Sequence, residues 1–478
     1  MKEDFKSLVI LLLAILFYRV YILYNFLYDF YFDEAYYWFW SKHFDFGYYS
    51  KPPMIAWVIK LFTSVCGDSE FCIKLPSAIL YFLSSVFIYF SAVNLYDRRV
   101  AFFASLIFFT LPSVFLSSII IATDSVFLFF WSLALYLFIK VLKKDRAYLW
   151  VLLGVSIGFG LLSKYTMIFF PIGALIYLAF KRRDIFRNKN FYISSVLAFL
   201  IFLPNLWWNF KHGFITFLHT KDNADIHGNL FHLNTLFEFW GSQFGVFGAV
   251  FFPVLLYLLF WFKRFYKDGR YFLLFWFIAP LFFTISLLSY ISRAHANWSA
   301  PVFVGASILV SWFLVDRNYK KLLYFGIALN ILLGVSVYHL DFFIKKANLT
   351  LNSKNDPYKK VRGWEKTALM IQNVIKNYDL NLIFDNRMDM SEMVYYLKPN
   401  PMNAFFWNPS KKIENYFAMI DDLNSHKGEN FIFVSSKKRD NLKNYFKEVK
   451  FLKKVEYKIH KDYIRIYYIY LVRGFKGY

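Results

Sequence analysis

Two carboxylates, Asp33 and Glu34, follow the first apolar run of the chain. Ionisable groups that close to lipid are expensive and are therefore often functional. A carboxylate there can accept the proton of an attacking hydroxyl. The plainer reading is structural: Asp33 caps the short helix that follows, and Glu34 is favoured by the helix dipole. Asp124, in Ala122-Thr123-Asp124-Ser125, is open to the same two readings. Lys51 in Ser50-Lys51-Pro52-Pro53, the pair Lys164-Tyr165, and Arg293-Ala294-His295-Ala296-Asn297-Trp298 are further polar outcrops between apolar runs. Together these residues suit displacement at a sugar carbon by an acceptor hydroxyl, with a lipid-linked phosphate leaving. The carboxylate serves as base, while Lys51, Arg293 and Lys164 offset the negative charge growing on the phosphate. Taken singly, each cation is explained as well by snorkelling to the interface.

His43, His212, His219, His227, His232 and His295 show no compact ligand spacing. No cofactor is implied, and a divalent ion at Asp33, Glu34 or Asp124 is left open. Cys66 and Cys72 are the only cysteines, too few for a disulfide framework or a zinc site. Two unpaired thiols are expected, a local disulfide being the alternative if their loop is extracytoplasmic. The chain has no Walker loop and no strand–GxGxxG–helix unit, which disfavours nucleotide-driven chemistry.

The elements that must hold these residues are membrane helices. Hydrophobic residues make up 58% of the 478 and charged ones 18%, with 62 Phe, 36 Tyr and 14 Trp. No soluble domain hides that much apolar surface. Hydropathy places spans near 7–27, 72–95, 100–119, 125–142, 147–163, 166–180, 191–208, 236–262, 271–289, 299–315 and 322–341, about 11 in all. The first has no small-residue cleavage signal after it and is expected to be retained. The net charge of +23 would suggest a polyanion partner in a soluble protein, but its location argues against nucleic acid. Arg98 with Arg99, Lys143-Lys144-Asp145-Arg146, Lys181-Arg182-Arg183, Lys263-Arg264, and Arg317 with Lys320 and Lys321 fall on one side, together with Lys2 and Lys6. By the positive-inside rule the amino terminus is cytoplasmic, and the candidate residues share the outer face of the plasma membrane.

The outer loop 28–70 is dense in Tyr and Trp, the aromatics of the bilayer interface. Glu34 to Trp40 reads as an amphipathic interfacial helix, and Gly47 to Pro53 as an irregular connection. After Asp341 the composition shifts to Lys, Asn and Asp. Strand-length runs at 381–384, 430–434, 451–459 and 463–472 alternate with helix-like stretches near 361–377, 411–424 and 437–447. Residues 1–341 are therefore expected to form the membrane domain, and 342–478 an extracytoplasmic α/β domain.

The ordered set of motifs resembles one family. It runs through Tyr31-Phe32-Asp33-Glu34-Ala35-Tyr36-Tyr37-Trp38, Gly47-Tyr48-Tyr49-Ser50-Lys51-Pro52-Pro53-Met54, Lys74-Leu75-Pro76-Ser77-Ala78 and Ala122-Thr123-Asp124-Ser125 with Phe130-Trp131. Gly160-Leu161-Leu162-Ser163-Lys164-Tyr165, Pro204-Asn205-Leu206-Trp207-Trp208-Asn209, Asn297-Trp298-Ser299-Ala300-Pro301 and Arg362-Gly363-Trp364 extend it. These are similar to motifs of the polyprenyl-phosphate-dependent glycosyltransferases of the protein O-mannosyltransferase and aminoarabinose transferase superfamily, which have the GT-C fold. The resemblance implies a polytopic α-helical membrane enzyme, a hexosyl- or pentosyltransferase. It would move sugar from a polyprenyl-phosphate donor to an extracytoplasmic lipid, glycan or protein, usually with inversion. It makes Asp33 the catalytic carboxylate, with Glu34 in the same motif positioning Asp33 or a loop cation. Lys51 would contact the lipid phosphate, with Arg293 and Lys164 as further cations. Tyr37 corresponds to a tyrosine near the substrate, and Asp124, Tyr165, His295 and Trp298 complete the expected substrate-binding set. Tyr36 stands where aminoarabinose transferases tend to have arginine, and Lys74 replaces the commoner arginine. The rival from another class is a lipid-linked sugar flippase or transporter, although no pair of matched broken spans marks two inverted halves.

Overall fold

The structure is a computed structural model and describes residues 5–25, 28–224 and 231–478. Lys2, His227 and the last two positions of the expected first span lie outside the described residues. Long apolar runs become helices because a helix satisfies its own backbone N–H and C=O groups, as lipid requires. They are α1 (Phe5–Tyr24), α2 (Phe32–Lys42), α3 (Met54–Cys66), α4 (Glu70–Leu95), α5 (Arg98–Thr110), α6 (Pro112–Ser117), α7 (Thr123–Lys143), α8 (Ala147–Ser163) and α9 (Phe169–Lys181). They continue as α10 (Lys189–Lys211), α11 (Ile215–Ala224), α12 (Leu233–Val246), α13 (Phe251–Phe260), α14 (Phe262–Phe265), α15 (Gly269–Ile291), α16 (Val302–Asp316), α17 (Lys320–Tyr338) and α18 (Leu340–Lys346). Among the described residues six helices, α1, α4, α7, α10, α15 and α17, are long and apolar enough to cross a membrane.

Two expected spans are broken. The run 100–119 divides at Leu111-Pro112, because a proline lacks the N–H that would continue α5 and suits the first turn of α6. The run 236–262 divides at Gly248, whose φ of 96° is open to glycine and whose Cβ would stand 2.5 Å from Asn330 Oδ1. In the bundle α7 packs against both α4 and α8, with Trp131 and Leu135 fully buried. Gly154 and Gly158 let α8 approach α10 closely, since a Cβ on Gly154 would lie 2.5 Å from the Ser194 carbonyl oxygen. One expectation is corrected here: Cys66 and Cys72 form a disulfide, which joins the end of α3 to the first turn of α4. Ser69 caps α4 by accepting from the Cys72 N–H, and that tight turn brings the two Cα atoms to 6.0 Å.

Beyond α18 lie α19 (Trp364–Ile375), α20 (Arg387–Tyr396), α21 (Tyr416–Ile420) and a five-stranded sheet. The strands are β1 (Leu382–Phe384), β2 (Phe405–Phe406), β3 (Phe431–Ser435), β4 (Phe446–His460) and β5 (Tyr463–Phe475), in the order β2-β1-β3-β5-β4. β1 runs parallel to β2 and β3, and β5 antiparallel to β3 and β4. The helix expected over 437–447 is a single 3-10 turn at 441–444, because pairing of Phe446 with Phe475 already draws the chain into β4. The stretch 411–424 keeps helix only at Tyr416–Ile420, followed by a 3-10 turn.

This region sits directly on the 28–70 connection. The Phe30 N–H donates to the Tyr396 hydroxyl, which in turn donates to Glu70. The Trp364 N–H donates to Asp29 at 2.6 Å, and Tyr28 stacks on Tyr358. Arg362 holds Asp341, at the end of the helical region, and the fully buried Asp356. α2 and α20 pack against each other and share one apolar core.

Candidate active site

The first turn of α2 is fixed from behind by Glu34. Its carboxylate accepts the Tyr31 N–H at 2.9 Å and, 87 residues away in sequence, the Ile121 N–H at 2.8 Å. Lys74 lies 4.0 Å from it and pairs with Glu70 at 3.1 Å. Burial raises the Glu34 carboxyl to about 7, against the pull of Lys74 and the two N–H groups. Glu34 thus clamps α2 to the connection before α7. The helix cap is Tyr31, so Asp33 is not the cap: it is the second residue of α2, free to face elsewhere.

Asp33 faces Arg387, at the start of α20, whose Nη1 donates to Oδ1 at 3.2 Å. Burial raises the Asp33 carboxyl, while Arg387 and Lys51 pull it back down. Lys51 lies in the irregular connection between α2 and α3. Its ammonium is lowered by burial and by the like charge of Lys164, and raised by Asp33 and Asp124. No ion pair is made by Lys51 among the described residues. Tyr37 is buried, and its phenol is held well above the usual range by burial, with Asp33 and Asp124 adding to the effect.

Asp124 opens α7 and binds two elements at once. Its Oδ1 accepts from Lys164, just past α8, and its Oδ2 from Asn297, both at 2.7 Å. Tyr165 stacks on Phe217 and donates to Asn205 at 3.0 Å. His295 meets the edge of Trp298, and its imidazole is lowered by burial and by Arg293, Lys51 and Lys164 in that order. Arg293 itself is exposed, beside this cluster. The fold therefore gathers Asp33, Tyr37, Lys51, Asp124, Lys164, His295 and Trp298 at one end of the bundle. It places Tyr165 beside them, Arg293 at the rim and Glu34 behind.

Two cavities meet this cluster. One of about 310 Å³ is lined by Ser50, Lys51, Lys164, Tyr165 and Trp298 with apolar walls from Ile285 and Leu288. The other, about 470 Å³, is mostly apolar and ends on Asp124, His295 and Asn297. A third, apolar groove of about 420 Å³ runs between α8, α9 and α10 and shares Ile168 with the Lys51 cavity. An apolar groove beside a cavity that holds two lysines fits an amphiphile with an anionic head.

Arg387 and His219 were not among the sequence candidates. Arg387 is 354 positions from Asp33, and nothing local marks it. His219 meets Tyr49 edge-on and is lowered to about 4 by burial, Lys51 and Arg387, so it is neutral at pH 7. The aromatic density of 47–49 was the only signal near it.

Residues 50–208 match the family of dolichyl-phosphate-mannose-protein mannosyltransferases, a stretch that includes Lys51, Asp124 and Lys164 and begins after Asp33. Lipid A galacturonosyltransferase of Rhizobium johnstonii is 33% identical over 295 residues, 62% of either chain, so the match spans under two thirds of that relative. Undecaprenyl phosphate-alpha-4-amino-4-deoxy-L-arabinose arabinosyl transferase 2 of Proteus mirabilis is 24% identical over 61% of this chain and 55% of its own. Among solved structures, ArnT of Cupriavidus metallidurans in the apo state aligns with a TM-score of 0.67 over 97% of this chain and 98% of that one, at 14% identity. The same protein bound to undecaprenyl phosphate aligns with a TM-score of 0.65 over 98% of both chains, also at 14% identity. Residues 50–208 thus match that family, and the chain as a whole is similar in fold to ArnT.

Proposed function

We propose that this chain is an inverting glycosyltransferase that moves a sugar from a polyprenyl-phosphate donor to a lipid or glycan acceptor outside the cytoplasm. The observation that carries the reading is Lys51, a half-buried cation without an ion pair among the described residues, set beside Asp33 at the mouth of an apolar groove. The groove takes the prenyl chain, and Lys51, with Lys164 and the rim residue Arg293, takes the phosphate. The acceptor oxygen attacks the anomeric carbon while the bond from that carbon to the phosphate oxygen breaks, and the electron pair leaves with polyprenyl phosphate. For a hydroxyl acceptor, Asp33 receives the proton. For an acceptor that is already an ionised phosphate, Asp33 orients it. Tyr37, Asp124, Tyr165, His295 and Trp298 line the substrate chamber, and Glu34 positions Asp33. These roles call on no metal or cofactor.

The donor sugar in this reading is an acidic hexose, as the names of the galacturonosyltransferase relatives indicate. Tyr36, in place of the arginine that aminoarabinose transferases tend to have, weighs against aminoarabinose as the sugar. The chain crosses the inner membrane about eleven times, with its amino terminus cytoplasmic. Residues 1–341 form the membrane domain, and 342–478 lie outside as the cover of the site. Vesicles containing the protein, a polyprenyl-phosphate sugar and a lipid acceptor test the reading by mass spectrometry. A new glycosidic bond is expected, whereas donor that only changes leaflet would identify a flippase.

A further inference from the structure

A guanidinium carries five N–H donors in a planar fork. Arg387 spends one of them, in a single 3.2 Å bond to Asp33, and no other bond from it occurs among the described residues. The rings of Phe32 and Tyr36 lie 5.0 and 5.1 Å from its central carbon, contacts that use none of its N–H groups. Its charge reaches Lys51, Tyr37, Tyr49 and His219, which sets the guanidinium within electrostatic range of the same cluster. In an inverting displacement the acceptor and its carboxylate stand opposite the leaving phosphate. A cation tethered to Asp33 is therefore placed to meet the sugar and acceptor.

We propose that Arg387 is a specificity-determining residue that holds an oxyanion substituent, a carboxylate on the donor sugar, through the unused edge of its guanidinium. The inference rests on the transferase reading. A bidentate carboxylate is the ligand that such a fork matches best. The residue reaches the site from α20, so sugar selection draws on the packing of α20 against α2.

The test uses the full chain in vesicles with two donors, polyprenyl-phosphate galacturonate and polyprenyl-phosphate galactose. The readout is the ratio of their kcat/KM values for wild type, Arg387→Lys and Arg387→Met. A charge-assisted bidentate pair predicts an acid preference of about 10- to 100-fold in wild type, falling to within about threefold in Arg387→Met. Arg387→Lys keeps a cation beside Asp33 but loses the fork, so it retains only part of the preference and shows a raised KM for the acidic donor. An unchanged ratio in Arg387→Lys and Arg387→Met overturns the proposal while leaving the transferase intact. A ratio that responds instead to removing the phosphate from the acceptor overturns the donor-sugar assignment and makes the acceptor the source of the anion. Failure of wild type to consume either donor overturns the transferase reading and this one with it.

Discussion

Asp124 holds Lys164 and Asn297 with separate oxygens, both at 2.7 Å, and the geometry sets what its loss should cost. Breaking one side of a fully buried ion pair costs about 3–5 kcal/mol, whereas an exposed pair is worth about 0.2–1 kcal/mol. The side chains of Lys164 and Asp124 are 15% and 11% exposed, which puts this pair near but below the buried limit. A loss of about 2–3 kcal/mol is expected, a fall of roughly 30- to 150-fold if it appears in transfer. Asp124→Asn leaves Lys164 without its counter-charge, and Lys164→Met leaves Asp124 as an uncompensated anion beside the departing phosphate. Each single change should therefore be severe. The double variant should recover about 2 kcal/mol relative to the sum of the singles. The assay is kcat/KM for the lipid donor in reconstituted vesicles, with insertion checked for each variant. Additivity within about 0.5 kcal/mol would refute the claim that Asp124 acts by holding Lys164 in place.

Two further outcomes concern stability. Glu392 on α20 is fully buried with neither carboxyl oxygen bonded among the described residues, and burial raises its carboxyl well above the ordinary range. The raised value means that the unfolded chain ionises first, so this residue costs stability as pH climbs above the ordinary glutamate range and costs nothing below it. Glu392→Gln should raise the thermal midpoint in detergent at pH 8, leave it nearly unchanged at pH 4, and flatten the slope between them. Gly363, at the entry to α19, has a φ of 77° and a Tyr457 ring where a Cβ would stand. Gly363→Ala should destabilise by at least about 2 kcal/mol, lowering the midpoint by roughly 2 °C or more.

The membrane helices were legible because a run of about twenty apolar residues has few other uses. Their interruptions were not, since Pro112 and Gly248 stop a helix only where packing supplies an alternative. In residues 342–478 four of the five strands were visible as apolar runs, and the two-residue β2 was not. α20 was missed because Asp389 to Tyr396 is buried on every side and so carries no amphipathic period. Of the two cysteine readings the structure shows the local disulfide, the alternative to the expected free thiols: the turn capped by Ser69 brings Cys66 to Cys72, and spacing alone does not show that. At the site, Asp33, Lys51, Asp124 and Lys164 could be named because each breaks an apolar neighbourhood. Glu34 stood beside Asp33 in the sequence, yet its partners are the Tyr31 and Ile121 amides on the far side of the helix start. Arg387 belongs to a polar stretch in which one arginine looks like any other, and only the docking of α20 on α2 gives it meaning.

Asp33 bears the central claim. The direct measurement is product formation by the reconstituted full chain with a polyprenyl-phosphate sugar and an outer-face acceptor, wild type beside Asp33→Asn at matched insertion. Wild type is expected to yield a glycosylated acceptor and free polyprenyl phosphate. With a hydroxyl acceptor, its rate should fall toward acid pH at a value above the ordinary carboxylate range, since burial raises the Asp33 carboxyl. Asp33→Asn should lower transfer by at least about 100-fold while still binding the donor. Transfer by Asp33→Asn at the wild-type rate, or donor that crosses the bilayer with no new bond formed, would contradict the account.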